Sequence, residues 1–156
     1  MNRAYFIAVL TVLLILGQGC ATYTENRKEQ SVKITMTSIF VDDPVAAHAF
    51  YTEVLGFQSK EFDAAGQLAV VVSAQDPDGT ALLLEPRGTE WAKEYQEQVY
   101  KAGMPIIIFG VPDVASEVER LKNKGVKFRD DLTKKEWGLD NLFEDTFGNI
   151  IMLQEN

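Results

Sequence analysis

The chain is poor in the side chains that do most enzyme chemistry. Its 156 residues hold one cysteine, Cys20, and one histidine, His48. A single thiol excludes an intrachain disulfide. One imidazole excludes a multi-histidine metal site, and no serine, cysteine or lysine sits in a recognisable nucleophile context. Basic residues are also scarce: 15 Lys and Arg face 23 Asp and Glu, for a formal charge of -8. No cationic stripe is present, because Arg27-Lys28 and Lys134-Lys135 each run straight into acid. That balance disfavours nucleic acid and anionic headgroups as partners, since both need clustered cations. No glycine-rich phosphate loop occurs. No apolar run reaches the roughly twenty residues that span a bilayer.

The longest apolar run is Ala4 to Leu16, interrupted by Thr11 and preceded by Met1-Asn2-Arg3. A cationic start and about thirteen apolar residues make a signal-peptide core. Gly17-Gln18-Gly19-Cys20 follows and resembles a bacterial lipobox, with Cys20 as the lipidated first residue of the mature chain. The pattern departs at Gly17, where a lipobox prefers Leu; Leu16 lies one step further away. Cleavage after Ala21 and an uncleaved anchor are the competing readings. The expected location is the cell envelope, with the protein membrane-anchored through lipid, or else secreted or periplasmic. Without residues 1-19 the formal charge becomes about -9, because Arg3 is the one charged residue lost. Residues 20-31 are polar and aperiodic and read as a lipidated cysteine with a tether.

Composition beyond residue 32 is that of a globular domain, with 46% hydrophobic and 24% charged residues over the whole chain. Val32–Val41 reads as a strand. Asp43 and Pro44 start a helix that carries Val45, Phe50, Val54 and Leu55 and stops at Gly56. Strands follow at about Gln58–Asp63, Leu68–Ser73 and Thr80–Glu85, with Asp76-Pro77-Asp78-Gly79 as a tight turn. The second half repeats the order: a strand at Pro105–Val111, a helix capped by Asp113 and ended by Gly125, strands at about Val126–Asp130 and Asn141–Glu144, a turn at Asp145–Gly148 and a last strand to Gln154. The caps Asp43 and Asp113 precede their helix-ending glycines by 13 and 12 residues, and precede the turn glycines Gly79 and Gly148 by 36 and 35. That regularity is an internal duplication. Glu90–Lys101 lies between the halves as a connecting helix with Trp91, Tyr95 and Tyr100.

The duplicated unit, together with Ile39–Pro44, Ala49–Phe57, Asp76–Gly79 and Asp145–Leu153, resembles the vicinal oxygen chelate superfamily. Its members include glyoxalase I, extradiol dioxygenases, fosfomycin-resistance enzymes and bleomycin-binding proteins. The resemblance implies one α+β domain over residues 32-156, with halves at about 32-86 and 104-155 and the connecting helix at about 90-102. Two βαβββ modules would form an open cup of curled mixed β-sheets, with helices outside. Alternation then turns Val41, Leu82, Leu84, Ile107, Phe109, Ile151 and Leu153 toward the helices. It turns Met36, Ser38, Leu83, Glu85, Ile106, Ile108, Met152 and Gln154 into the cup.

Family members usually hold one divalent metal by His, Glu or Gln from four strands. Counting from the landmarks, those positions here are Met36, Leu83, Ile106 and Met152, and all are apolar. Hard divalent ions need oxygen or nitrogen donors. No metal and no cofactor is therefore expected. His48 reads as a helix-surface residue. The expected function is metal-free binding or sequestering of an apolar or cationic small molecule in a cup lined by Met36, Ser38, Leu83, Glu85, Ile106, Ile108, Trp137, Met152 and Gln154, with Phe143 near its opening. The bleomycin-binding branch implies a homodimer. A metal-dependent lyase, isomerase or dioxygenase, and a structural or protein-interaction lipoprotein, are the alternatives.

Overall fold

A computed structural model describes residues 31-136 and 138-156. The expected signal peptide, Cys20 and its lipid, and Trp137 lie outside the described residues. Lys33–Asn156 form one compact unit.

The first module runs β1 (Met36–Val41), α1 (Pro44–Ala49), β2 (Gln58–Asp63), β3 (Leu68–Val72) and β4 (Ala81–Pro86). After α2 (Glu90–Lys101) the second runs β5 (Ile107–Val111), α3 (Val114–Asn123), β6 (Thr133–Lys135), β7 (Gly138–Glu144) and β8 (Ile150–Glu155). Each module makes a four-stranded sheet, ordered β1-β4-β3-β2 and β5-β8-β7-β6. β1–β4 and β5–β8 pair parallel, and the remaining ladders are antiparallel. The sheets stay open, with α1 on β3 and β4 and α3 on β7 and β8. The fold is the expected α+β pair of βαβββ modules.

Local chemistry sets the helix limits. Asp43 accepts from the N–H groups of Val45 and Ala46 at 3.0 Å each, and Asp113 accepts from that of Ser116 at 2.9 Å. Gly56 and Gly125 close the two helical runs at φ +89° and +85°, where a side chain would be strained. α1 widens into a π-helical turn over Phe50–Val54, and that turn carries the wholly buried Tyr51. Between the helices and the sheets lies the core, with Val41, Leu82, Leu84, Ile151 and Leu153 buried and Val54, Leu55, Ile107 and Phe109 packed against it. The strand residues among them are those that alternation assigns to the helix side.

Three expectations need correction. β1 begins at Met36, because its partner β4 begins only at Ala81, after the turn. The segment Val126–Asp130 contributes one bridge, Phe128 to Phe143, and the strand proper is β6 at Thr133–Lys135. β6 is exposed along its length and so leaves no hydrophobic pattern to read. Phe143 does not open onto the cup: it pairs with Ile151, is fully buried and lies tilted against Phe128, with ring centroids 5.8 Å apart.

Candidate functional site

The cup face follows from strand pairing. Ser38 pairs with Leu83 and Ile108 with Met152, so these four side chains occupy equivalent levels in the two sheets. One level on, Phe40 pairs with Glu85 and Gly110 with Gln154. Met36 pairs with Ala81 at the start of β1. Ile106 sits just before β5, where its N–H donates to the Ile150 carbonyl at 2.9 Å. Met36 and Ile108 are 48% and 54% exposed, so hydrocarbon and thioether face solvent on an open sheet surface. Ser38 is also exposed, while Leu83, Glu85, Ile106, Met152 and Gln154 are half-buried.

The four counted family positions on this face do not fit a hard divalent ion. Met36, Leu83, Ile106 and Met152 offer no oxygen or nitrogen. Among the described residues, no group of three or more His, Cys, Asp or Glu side chains is placed to hold a metal ion. His48 lies on α1, on the helix side of the sheet. Its Nε2 is 2.8 Å from the Ser59 hydroxyl, its ring stacks on Phe62 at 4.1 Å, and burial lowers its pKa from the ordinary value.

One end of the cup is covered by α2. Between that helix and β1 lies a cavity of about 310 Å³. Ser38, Phe40, Ile106 and Ile150 form its sheet side, and Trp91, Tyr95, Val99 and Tyr100 its helix side. Phe40 meets Trp91 and Tyr95 edge-on, with ring centroids 5.5 and 6.4 Å apart. Ser38 and Ile106 belong to the ligand surface that the sequence predicts. The aromatic residues of α2 read only as part of a connector, because nothing in a helical period shows what a linker helix covers.

α2 is held there by a buried polar network that the sequence reading did not identify. Gln96 shares its amide N–H groups among the carbonyls of Phe40 (2.6 Å) and Phe147 (3.0 Å) and Oδ1 of Asn149 (3.1 Å). Its own Oε1 accepts from Arg87 at 3.0 Å. Asn149 Nδ2 donates to the Phe40 carbonyl at 2.9 Å and to Asp145 Oδ2 at 2.7 Å. Asp145 also accepts from the N–H groups of Phe147 and Asn149 and from the Tyr51 hydroxyl. Burial raises the Asp145 pKa against the pull of these donors. Burial first, and the Asp145 charge second, push the Tyr51 phenol well above its ordinary value. The network joins β1, α2 and the β7–β8 turn. In the sequence Asp145–Gly148 reads as turn chemistry alone and Asn149 as the start of the last strand.

A second cavity, of about 500 Å³, lies on the helix side near Phe57, Val111 and α3. Its one guanidinium, Arg120, is taken up by Glu117 at 2.6 Å and by the Val54 carbonyl at 3.0 Å. That leaves it little to offer a ligand.

Comparison with known proteins agrees with the architecture. The uncharacterized protein YurT of Bacillus subtilis (strain 168) is 46% identical over 124 residues, covering 78% of this chain and 98% of its own length. The crystal structure of UcmS2 superposes with a TM-score of 0.69 at 25% identity, covering 80% of this chain and 98% of that one. TnmS3, an antibiotic binding protein from Streptomyces sp. CB03234, superposes with a TM-score of 0.60 at 21% identity, covering 81% and 97%. The sequence model of the Glyoxalase/Bleomycin resistance protein/Dioxygenase superfamily matches residues 33–153, almost all of the compact unit, and the chain belongs to that superfamily.

Proposed function

We propose that the protein is a metal-free small-molecule-binding domain, exported and tethered to the cell envelope through lipidated Cys20. The carrying observation is the chemistry of the cup face. Its four family ligand positions are Met36, Leu83, Ile106 and Met152, and Ile108 beside them is 54% exposed. An apolar surface with a few polar groups, once closed over by a ligand or a second copy, suits a drug-sized molecule. Methionine adapts to irregular apolar shapes and favours contact with aromatic rings. Glu85 and Gln154 stand at the rim and would orient a polar or cationic end. An antibiotic binding protein shares the fold, which is therefore able to serve sequestration. In this reading the protein works as a homodimer.

Elemental analysis and thermal unfolding test it together. Protein purified without chelator should carry no stoichiometric transition metal. A panel of apolar and cationic small molecules, bleomycin included, should contain compounds that raise the unfolding temperature saturably. Stoichiometric metal with turnover of a hemithioacetal or a catechol would replace this reading with the enzymatic one. For the anchor, radiolabelled palmitate should enter the full-length chain and not Cys20→Ala.

A further inference from the structure

The aromatic cavity under α2 points to a narrower ligand class than the open cup does. We propose that the space between β1 and α2 binds a neutral, flat aromatic molecule of one or two fused rings that carries a single hydrogen-bonding group. The inference rests on the metal-free reading and adds to it a place and a chemistry.

Size comes first. About 310 Å³ is near the lower end of small-molecule pockets, so the occupant is compact. The second observation is charge. None of the twelve residues lining the cavity is Asp, Glu, Lys, Arg or His, although the chain is 24% charged. An anion would lose its water there and gain no counter-charge, and a cation would meet ring faces but no carboxylate to offset its desolvation. Aromatic rings are the third. Phe40, Trp91, Tyr95 and Tyr100 stand on both sides of the space, and Trp91 and Tyr95 are 64% and 48% exposed. Large amphipathic rings held open to solvent on a rigid helix are ready to stack on a further ring.

Hydrogen-bonding capacity narrows the class again. The side-chain amides of Gln96 and Asn149 line the cavity, but their donors are spent on Phe40, Phe147 and Asp145. The Tyr100 hydroxyl is engaged by Glu144, which raises its pKa. Among the described residues, the Ser38 and Tyr95 hydroxyls have no hydrogen-bond partner, and both belong to the lining. A ligand with several polar groups would leave most of them unmatched, at a cost. One with a single hydroxyl or carbonyl would not.

The test is calorimetric titration of the whole protein with 2-naphthol, beside anionic 2-naphthalenesulfonate and cationic N-methylquinolinium. The expected result is saturable one-to-one binding of 2-naphthol, at least tenfold tighter than either charged analogue. Trp91→Ala and Tyr95→Ala should each weaken it tenfold or more. Both positions are largely exposed, so the fold should survive, and Tyr95→Leu should restore part of the affinity if a packed apolar wall is what matters. Leu132→Ala, an exposed apolar change outside the cavity lining, should bind like the parent. No saturation, tighter binding of a charged analogue, or full binding by Trp91→Ala and Tyr95→Ala would overturn the inference. If 2-naphthol fails while other compounds bind and lose their effect in Ile108→Asp, the α2 site falls and the cup reading stands. Stoichiometric metal with turnover removes the cup reading whatever 2-naphthol does.

Discussion

The Tyr51 hydroxyl donates to Asp145 at 3.1 Å across 94 residues of chain, and neither side chain has measurable exposure. It ties the π-helical turn of the first module to the last turn of the second. A hydrogen bond to a buried charge is worth about 1.5–3 kcal/mol, more than one between neutral groups. Tyr51→Phe should therefore lower unfolding free energy by about that much at neutral pH, measured by urea denaturation.

Acid should shrink that penalty. Burial raises the Asp145 pKa above its ordinary 3.8, so the folded state takes up this proton before the unfolded state does. The contribution of this group to stability is then full below 3.8 and is lost as pH rises through the folded pKa. Removing the Tyr51 donor disfavours the carboxylate further and moves that window upward. Urea titrations from neutral pH down to about 4 should find Tyr51→Phe and the parent converging. A constant gap would show that Asp145 is not the group responsible.

His48 titrates in the opposite sense. Burial lowers its pKa below 6.5, so its contribution is present above 6.5 and is lost as pH falls through the folded value. The chain has one histidine, so its ring protons give an unambiguous nuclear magnetic resonance titration. The midpoint should fall below 6.5, and Phe62→Ala, which strips the stacked ring from one face, should move it upward.

Gly148 should tolerate no side chain. At φ +99°, an added Cβ would lie 2.7 Å from Gln96 Cδ, in the middle of the clamp that seats α2. Gly148→Ala should cost about 2 kcal/mol or more through backbone strain and displacement of Gln96, again by urea denaturation. The same substitution should weaken any ligand held under α2.

The two faces of the sheets should answer differently to truncation. Leu84 is fully buried on the helix side, and Leu84→Ala should lose about 2–5 kcal/mol. Ile108 is 54% exposed on the cup side, and Ile108→Ala should change stability by about 0.5 kcal/mol or less. Comparable losses at both positions would mean that the cup face is covered in solution.

Much of this architecture was legible because it is written in local chemistry. Asp43 and Asp113 as caps, Gly56 and Gly125 as stops, and alternation at Leu82–Leu84 and Ile151–Leu153 each act within a few residues. What stayed hidden depends on distant segments meeting. β6 is an exposed edge with no hydrophobic period, so Val126–Asp130 looked the better strand. Phe143 reads as a rim aromatic until its pairing with Ile151 fixes which way it points. Asp145 is an ordinary turn residue, and Asn149 the first residue of a strand, until Tyr51 and Gln96 arrive from 94 and 53 positions away. Trp91 and Tyr95 become part of a cavity only because Gln96 seats their helix on β1.

The docking of α2 also breaks the repeat. Asp76–Gly79 and Asp145–Gly148 occupy matching places in the two modules, yet of these two turns Gln96 seats itself against the second, while also bonding the Phe40 carbonyl of β1. A perfectly duplicated receptor would present a guest with two interchangeable poses. Capping one end gives this one a front and a back, so whatever enters meets a receptor with a defined polarity.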